Sequence, residues 1–105
     1  MRDFWQAAYD YKVELVVSGN DHVYERFKPQ TPAGRLDPNR GIRQFVVGTG
    51  GRSHYLFGKI RRNSDARNND AFGVLKLSLK RGAFGWRFLP IAGAKFSDAG
   101  SASCH

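Results

Sequence analysis

The sequence predicts an α+β fold, mainly β, with one N-terminal helix, about four strands, a C-terminal antiparallel hairpin and long loops. Three observations carry this. Helical spacing of apolar residues is confined to the first dozen positions, two short β-branched runs follow, and two alternating segments near the end flank a turn signal. The chain has 105 residues and is read as a single domain over 1–105. A domain of that size buries roughly 65% of the surface its unfolded chain exposes, which leaves a modest core.

Arg2 to Lys12 carries Phe4, Trp5, Ala8, Tyr9 and Tyr11, close to the i, i+1, i+4, i+5 spacing of an amphipathic helix. Val13 to Val17 is a β-branched run interrupted by Glu14 and stopped by Ser18-Gly19, the pattern of a mostly buried strand. Pro29, Pro32, Gly34, Pro38 and Gly41 punctuate the next polar stretch, which reads as a surface excursion. Ile42 to Val47 is a second apolar strand, ended by Gly48-Thr49-Gly50-Gly51. Arg52 to Ala71 is polar and basic and reads as one irregular loop of about twenty residues, a length that in a compact domain usually marks a functional or mobile segment.

Phe72 to Leu79 and Phe84 to Ile91 alternate apolar and polar residues around Lys80-Arg81-Gly82-Ala83, an antiparallel hairpin. Trp5, Phe84, Trp86 and Phe88 are assigned to the core. The last fourteen residues, Ala92 to His105, are small and polar, and are expected to form an irregular tail.

Lys and Arg number 17 against 9 Asp and Glu, a formal net charge of +8. That balance favours anionic partners through long-range attraction and says nothing about fold. No apolar run approaches the ~20 residues of a membrane helix, so no membrane partner is expected. The single cysteine, Cys104, excludes an intramolecular disulfide framework. No charged segment followed by an apolar run opens the sequence, so no signal peptide is expected, and the compartment is left open.

The chemically richest stretch is Ser18-Gly19-Asn20-Asp21-His22-Val23-Tyr24-Glu25-Arg26, where a strand should surface into a loop. His22 offers an imidazole ligand or acid/base, and Asn20 an amide oxygen. A lone loop histidine is more often a packed or surface residue, and both readings stand. Tyr24, Glu25 and Arg26 are expected to brace this loop by pairing with neighbours. Backbone N–H groups of Gly50 and Gly51 suit close approach of a phosphate, with Arg52 and His54 beside them, although a tight turn needs the same glycines.

Gly19-Asn20-Asp21-His22, then Tyr24-Glu25-Arg26, then Gly48-Thr49-Gly50-Gly51 and the hairpin from Phe72 to Ile91 resemble, in that order, the C-terminal half of a calcineurin-like metallophosphoesterase sandwich. The purple-acid-phosphatase-like branch is most similar. The resemblance runs from Phe4 to His105. It implies phosphate ester hydrolysis at a dinuclear centre of divalent or trivalent ions of the Zn, Fe or Mn type. In that family a Gly-His-x-His motif gives one histidine to each ion. His22 matches the second, and Asn20 stands where the first is expected, a substitution that weakens a nitrogen-preferring metal site.

The family's Asp-x-His, Gly-Asp-x-x-Asp and Gly-Asn-His-Asp/Glu motifs do not occur in this chain, so no complete catalytic set is expected in it. The resemblance therefore implies a lobe of a larger domain, active when a missing N-terminal half or self-assembly completes it. A homo-oligomer is one expected consequence. Family members are often secreted or periplasmic. The competing expectation from charge is a non-catalytic protein whose basic stretch from Arg52 to Arg67 binds nucleic acid or another polyanion.

Overall fold

The computed structural model describes residues 2–19, 21–51 and 58–105. Its helix, α1 (Arg2–Asp10), carries Asp3 in the first turn, where a carboxylate complements the helix dipole. It stops in a Schellman turn. Lys12 takes a left-handed φ of 61°, its N–H bonds the Tyr9 carbonyl at 3.1 Å, and the Val13 N–H bonds the Ala8 carbonyl at 2.9 Å.

Two sheets follow. The first contains β1 (Leu15–Ser18), β2 (Tyr24–Phe27), β3 (Arg43–Val47) and β4 (Ser64–Asn68) in the order β1-β3-β2-β4. The second contains β5 (Gly73–Lys80), β6 (Ala83–Pro90) and β7 (Asp98–Ser103) in that order, all antiparallel. The chain is thus α+β and mainly β, as its patterning predicts. In the first sheet β1 runs parallel to β3, with Val17 opposite Phe45, while β2 is antiparallel to both β3 and β4.

The sheets pack face to face. From the first sheet Tyr24 and Phe45 enter the shared core, and from the second come Phe84, Trp86 and Phe88, all buried. Strand alternation explains the selection: Phe84, Trp86 and Phe88 sit two apart on β6, opposite Leu79, Leu77 and Leu75. A smaller buried cluster of Val23, Phe27 and Val46 occupies the other side of the first sheet. The 29–42 excursion is tied down by Asn63, a buried amide that donates to Gln30 Oε1 and the Gly34 carbonyl, both at 2.8 Å.

The structure differs from the sequence-based expectations at five places. The run expected to be mostly buried, Val13 to Val17, becomes an edge strand with Val17 45% exposed, because nothing among the described residues pairs with its outer side. Tyr24-Glu25-Arg26 are strand β2, paired on both sides, where a loop was expected. The basic stretch from Arg52 to Ala71 contains β4, recruited by β2 although its sequence lacks apolar alternation. The expected irregular tail contains β7, so the hairpin is the first two strands of a three-stranded sheet. Trp5 lies outside the core, half-buried on α1 against a cleft with Gln30, Pro32 and Ile42.

Candidate functional site

The parallel pair β1 and β3 sends both chains toward the same end of the first sheet. Loops at the carboxyl ends of parallel strands commonly hold ligand sites, because the two chains diverge there and leave a crevice. The loop after β1 contains His22, and the loop after β3 contains Gly48 to Gly51. They touch. The Gly48 N–H donates to the Val23 carbonyl at 2.9 Å, and the Val23 N–H donates to the Asp21 carbonyl at 2.9 Å.

Gly48 is required by this contact. A Cβ on it would lie 1.9 Å from the Asp21 carbonyl oxygen and 2.5 Å from that of Gly19, both backbone atoms that cannot swing aside. Thr49 anchors the same loop from the other side. Its buried hydroxyl donates to the Gly73 carbonyl at 2.9 Å, and its own carbonyl accepts the Gly73 N–H at 3.0 Å. Beyond it Gly50 and Gly51 are exposed, with open space where side chains would project, and Gly51 takes a φ of +130° that favours glycine.

Of the sequence-predicted site residues, His22, Gly50 and Gly51 therefore share one end of the sheet, with His22 half-buried. Asn20, Arg52 and His54 lie outside the described residues. Tyr24 and Arg26 leave the loop altogether. They project from β2 into the layer between the sheets, while Glu25 alternates to the opposite face.

There Asp98 of β7 receives both. Tyr24 Oη donates to Asp98 Oδ2 at 2.6 Å, and Arg26 grips the carboxylate from Nε at 2.8 Å and Nη2 at 3.1 Å. The remaining arm of the guanidinium, Nη1, donates to Asp65 Oδ2 at 2.6 Å. Arg26 and Arg43 each lie over the Trp86 ring, at 5.1 and 5.0 Å from its centre. Sequence reasoning missed Asp98, which is 72 positions from Arg26. The available signal was the presence of Tyr24 and Arg26 two apart, a polar pair on one strand face that needs a partner from another element.

The pKa shifts follow from this geometry. Burial works against ionised Asp98, yet the hydrogen bonds from Arg26 and Tyr24 outweigh it and hold the carboxyl below its ordinary value. Burial, then the bond to Asp98, drives the Tyr24 phenol far up. Burial also disfavours the charge on Arg43, and its neighbour Arg26 adds repulsion, so its pKa falls.

No protein family profile, no curated protein sequence and no solved structure matches this chain.

Among the described residues no group of three or more His, Cys, Asp or Glu is placed to hold a metal ion. The described ligand-type side chains of the two loops are the His22 imidazole and the Asp21 carboxylate, too few for a dinuclear centre, and no hydrolytic step is assigned to them. What the arrangement offers is a histidine-bearing loop held by backbone contact against a loop that continues into the exposed Gly50 and Gly51. The coupling is testable: Gly48→Ala should cost about 1–3 kcal/mol of stability through backbone overlap. Two-dimensional NMR should show His22 and Val23 among the most shifted residues. Unshifted His22 and Val23 signals would mean that the two loops do not position one another.

Proposed function

We propose that this chain is a metallophosphoesterase-derived lobe that contributes to phosphate ester hydrolysis once further metal ligands are supplied. The observation that carries the proposal is the meeting of the His22 loop with the Gly48 to Gly51 loop at the carboxyl end of the parallel pair β1 and β3. An imidazole on one loop and the N–H groups of Gly50 and Gly51 on the loop that meets it suit a metal-bound phosphate. His22 would bind one ion of the Zn, Fe or Mn type, with Asn20, two positions earlier in the sequence, as a weaker oxygen donor. Gly50 and Gly51, with Arg52 and His54 following in the sequence, would receive the phosphate.

A second feature supports a lobe. A parallel strand at the edge of a sheet leaves one row of backbone groups unpaired, and parallel pairs usually lie inside larger sheets. The outer edge of β1 is such a row among the described residues. An added strand, from another copy or from a complementary half-domain, would close it and bring additional ligands to the mouth of the site.

Size exclusion of the purified chain with light scattering, metal analysis of each peak and assays with a chromogenic phosphomonoester and phosphodiester test the reading together. The expected outcome is metal and turnover in an associated species, both lost in His22→Ala. A monomer that holds no metal and turns over neither ester would sink it for the chain on its own.

A further inference from the structure

The outer face of the second sheet is not used by the site above, and it is uniformly cationic. The register puts Val74, Lys76, Ser78 and Lys80 of β5 on this face, opposite Leu89, Arg87, Gly85 and Ala83 of β6. Ala99, Ser101 and Ser103 of β7 complete it. Lys76, Lys80 and Arg87 are exposed. The three strands contain one carboxylate, Asp98, and it is on the inner face, occupied by Tyr24 and Arg26.

Two details distinguish this face from an ordinary solvated surface. Lys76 and Arg87 are direct cross-strand partners, an arrangement of like charges that works against sheet pairing unless an anion lies between them. Beside them a shallow groove of about 350 Å³ crosses the sheet, lined by Lys76, Ser78, Gly85, Arg87, Ala99 and Gly100, with the buried Trp86 beneath. Its small residues let an anion approach the floor while the two long cations close on it. Lys80 continues the row four residues along β5, roughly 13 Å from Lys76 at strand rise, which is more length than one phosphate needs.

We propose that this face binds the phosphodiester backbone of nucleic acid, with Lys76 and Arg87 holding one phosphate over the groove and Lys80 a later one. All three β6 aromatics are buried, Trp86 included although it borders the groove, so no open ring face is offered to bases, and recognition is through phosphates, independent of sequence. A lipid surface fits less well. Val74 and Leu89 are the only large apolar side chains that the three strands direct to this face, and Trp86 at the groove is buried and cannot insert at a headgroup layer.

Fluorescence anisotropy of a labelled dT20 oligonucleotide titrated with the full chain, repeated over a salt series, tests this. Lys76→Gln/Arg87→Gln should weaken binding about tenfold at low salt and reduce the slope of log K against log salt by about 0.7, the value for one lost phosphate contact on a single strand. Arg61→Gln/Arg62→Gln, which removes two exposed cations outside this face, should leave the slope within half that change. Single variants Lys76→Gln and Lys80→Gln keep the slope readable if the double variant melts early. Equal losses in both double variants would reduce the effect to net charge and overturn the proposal. So would an unchanged slope in Lys76→Gln/Arg87→Gln, absence of binding by the parent chain, or binding confined to phosphatidylserine vesicles.

Discussion

Asp98→Ala is expected to lower the free energy of unfolding by up to about 3–5 kcal/mol, read from urea denaturation, because it removes one partner of a largely buried ion pair and leaves Arg26 with Asp65 alone. The side chains of Arg26 and Asp98 are only 12% and 11% exposed, so solvent screens the pair weakly. The bidentate grip fixes orientation as well as charge. Tyr24 Oη, on a fully buried residue, loses its acceptor in the same substitution. These contacts run from β2 to β7 and so join the two sheets. Asp98→Asn keeps an oxygen for one donor and should cost less than Asp98→Ala. A loss below about 1 kcal/mol in Asp98→Ala, the level of a surface pair, would show that the network contributes no more than exposed charges do.

The same network sets pH limits of opposite sign. Asp98 is held below its ordinary value of 3.8 in the fold, so its contribution is fully present above that pH. Stability is lost as pH falls from about 4 through the lowered native pKa, where the folded carboxylate must finally take up a proton. Tyr24 is raised from 10.0, so its contribution is present below pH 10 and lost as pH rises beyond it, where the unfolded phenol ionises and the folded one does not. Thermal melts of Asp98→Asn should show a flatter acid limb than the parent. Tyr24→Phe should flatten the alkaline limb.

The hairpin was legible in the sequence because its alternation and turn act locally: Lys80 pairs with Ala83, and Gly82 takes the positive φ of 76° that the turn requires. The helix was legible for the same reason, through spacing that needs no distant partner. What escaped was decided by tertiary pairing. Ser64 to Asn68 has no apolar period and becomes a strand because β2 offers an open edge, with a bulge at Arg26 and Phe27 absorbing the register shift. Asp98 to Ser103 is poor in strand-forming residues and pairs with β6 along its whole length. At the candidate site, the sequence marked His22 and the glycine turn but assigned Tyr24 and Arg26 to the same loop. Strand alternation sends them instead into the core layer, where Asp98 waits.

Trp86→Ala should destabilise the chain by about 3–5 kcal/mol, the range for removing a buried large aromatic. Its ring packs edge-on against Phe45 of the first sheet at 5.5 Å and lies near Phe84 at 6.1 Å. It also carries the guanidinium groups of Arg26 and Arg43, so its loss leaves two neighbouring cations without the ring that attracts them. Trp86→Leu retains most of the apolar volume and Trp86→Phe retains a ring face; if cation–π attraction matters, the Phe variant is the more stable. The register then gives a sharper test. Gly100 lies opposite Trp86, and a Cβ on it would come within 2.5 Å of Trp86 Cζ2. Gly100→Ala in the parent should therefore cost about 1–3 kcal/mol by overpacking, whereas in Trp86→Ala the added methyl enters space the indole has vacated. The two losses should fall short of additivity by more than the ~0.5 kcal/mol that separates independent sites. Additive losses would mean that the small-residue strand β7 is not shaped by Trp86, and that its glycine answers to some constraint other than the indole packed against it.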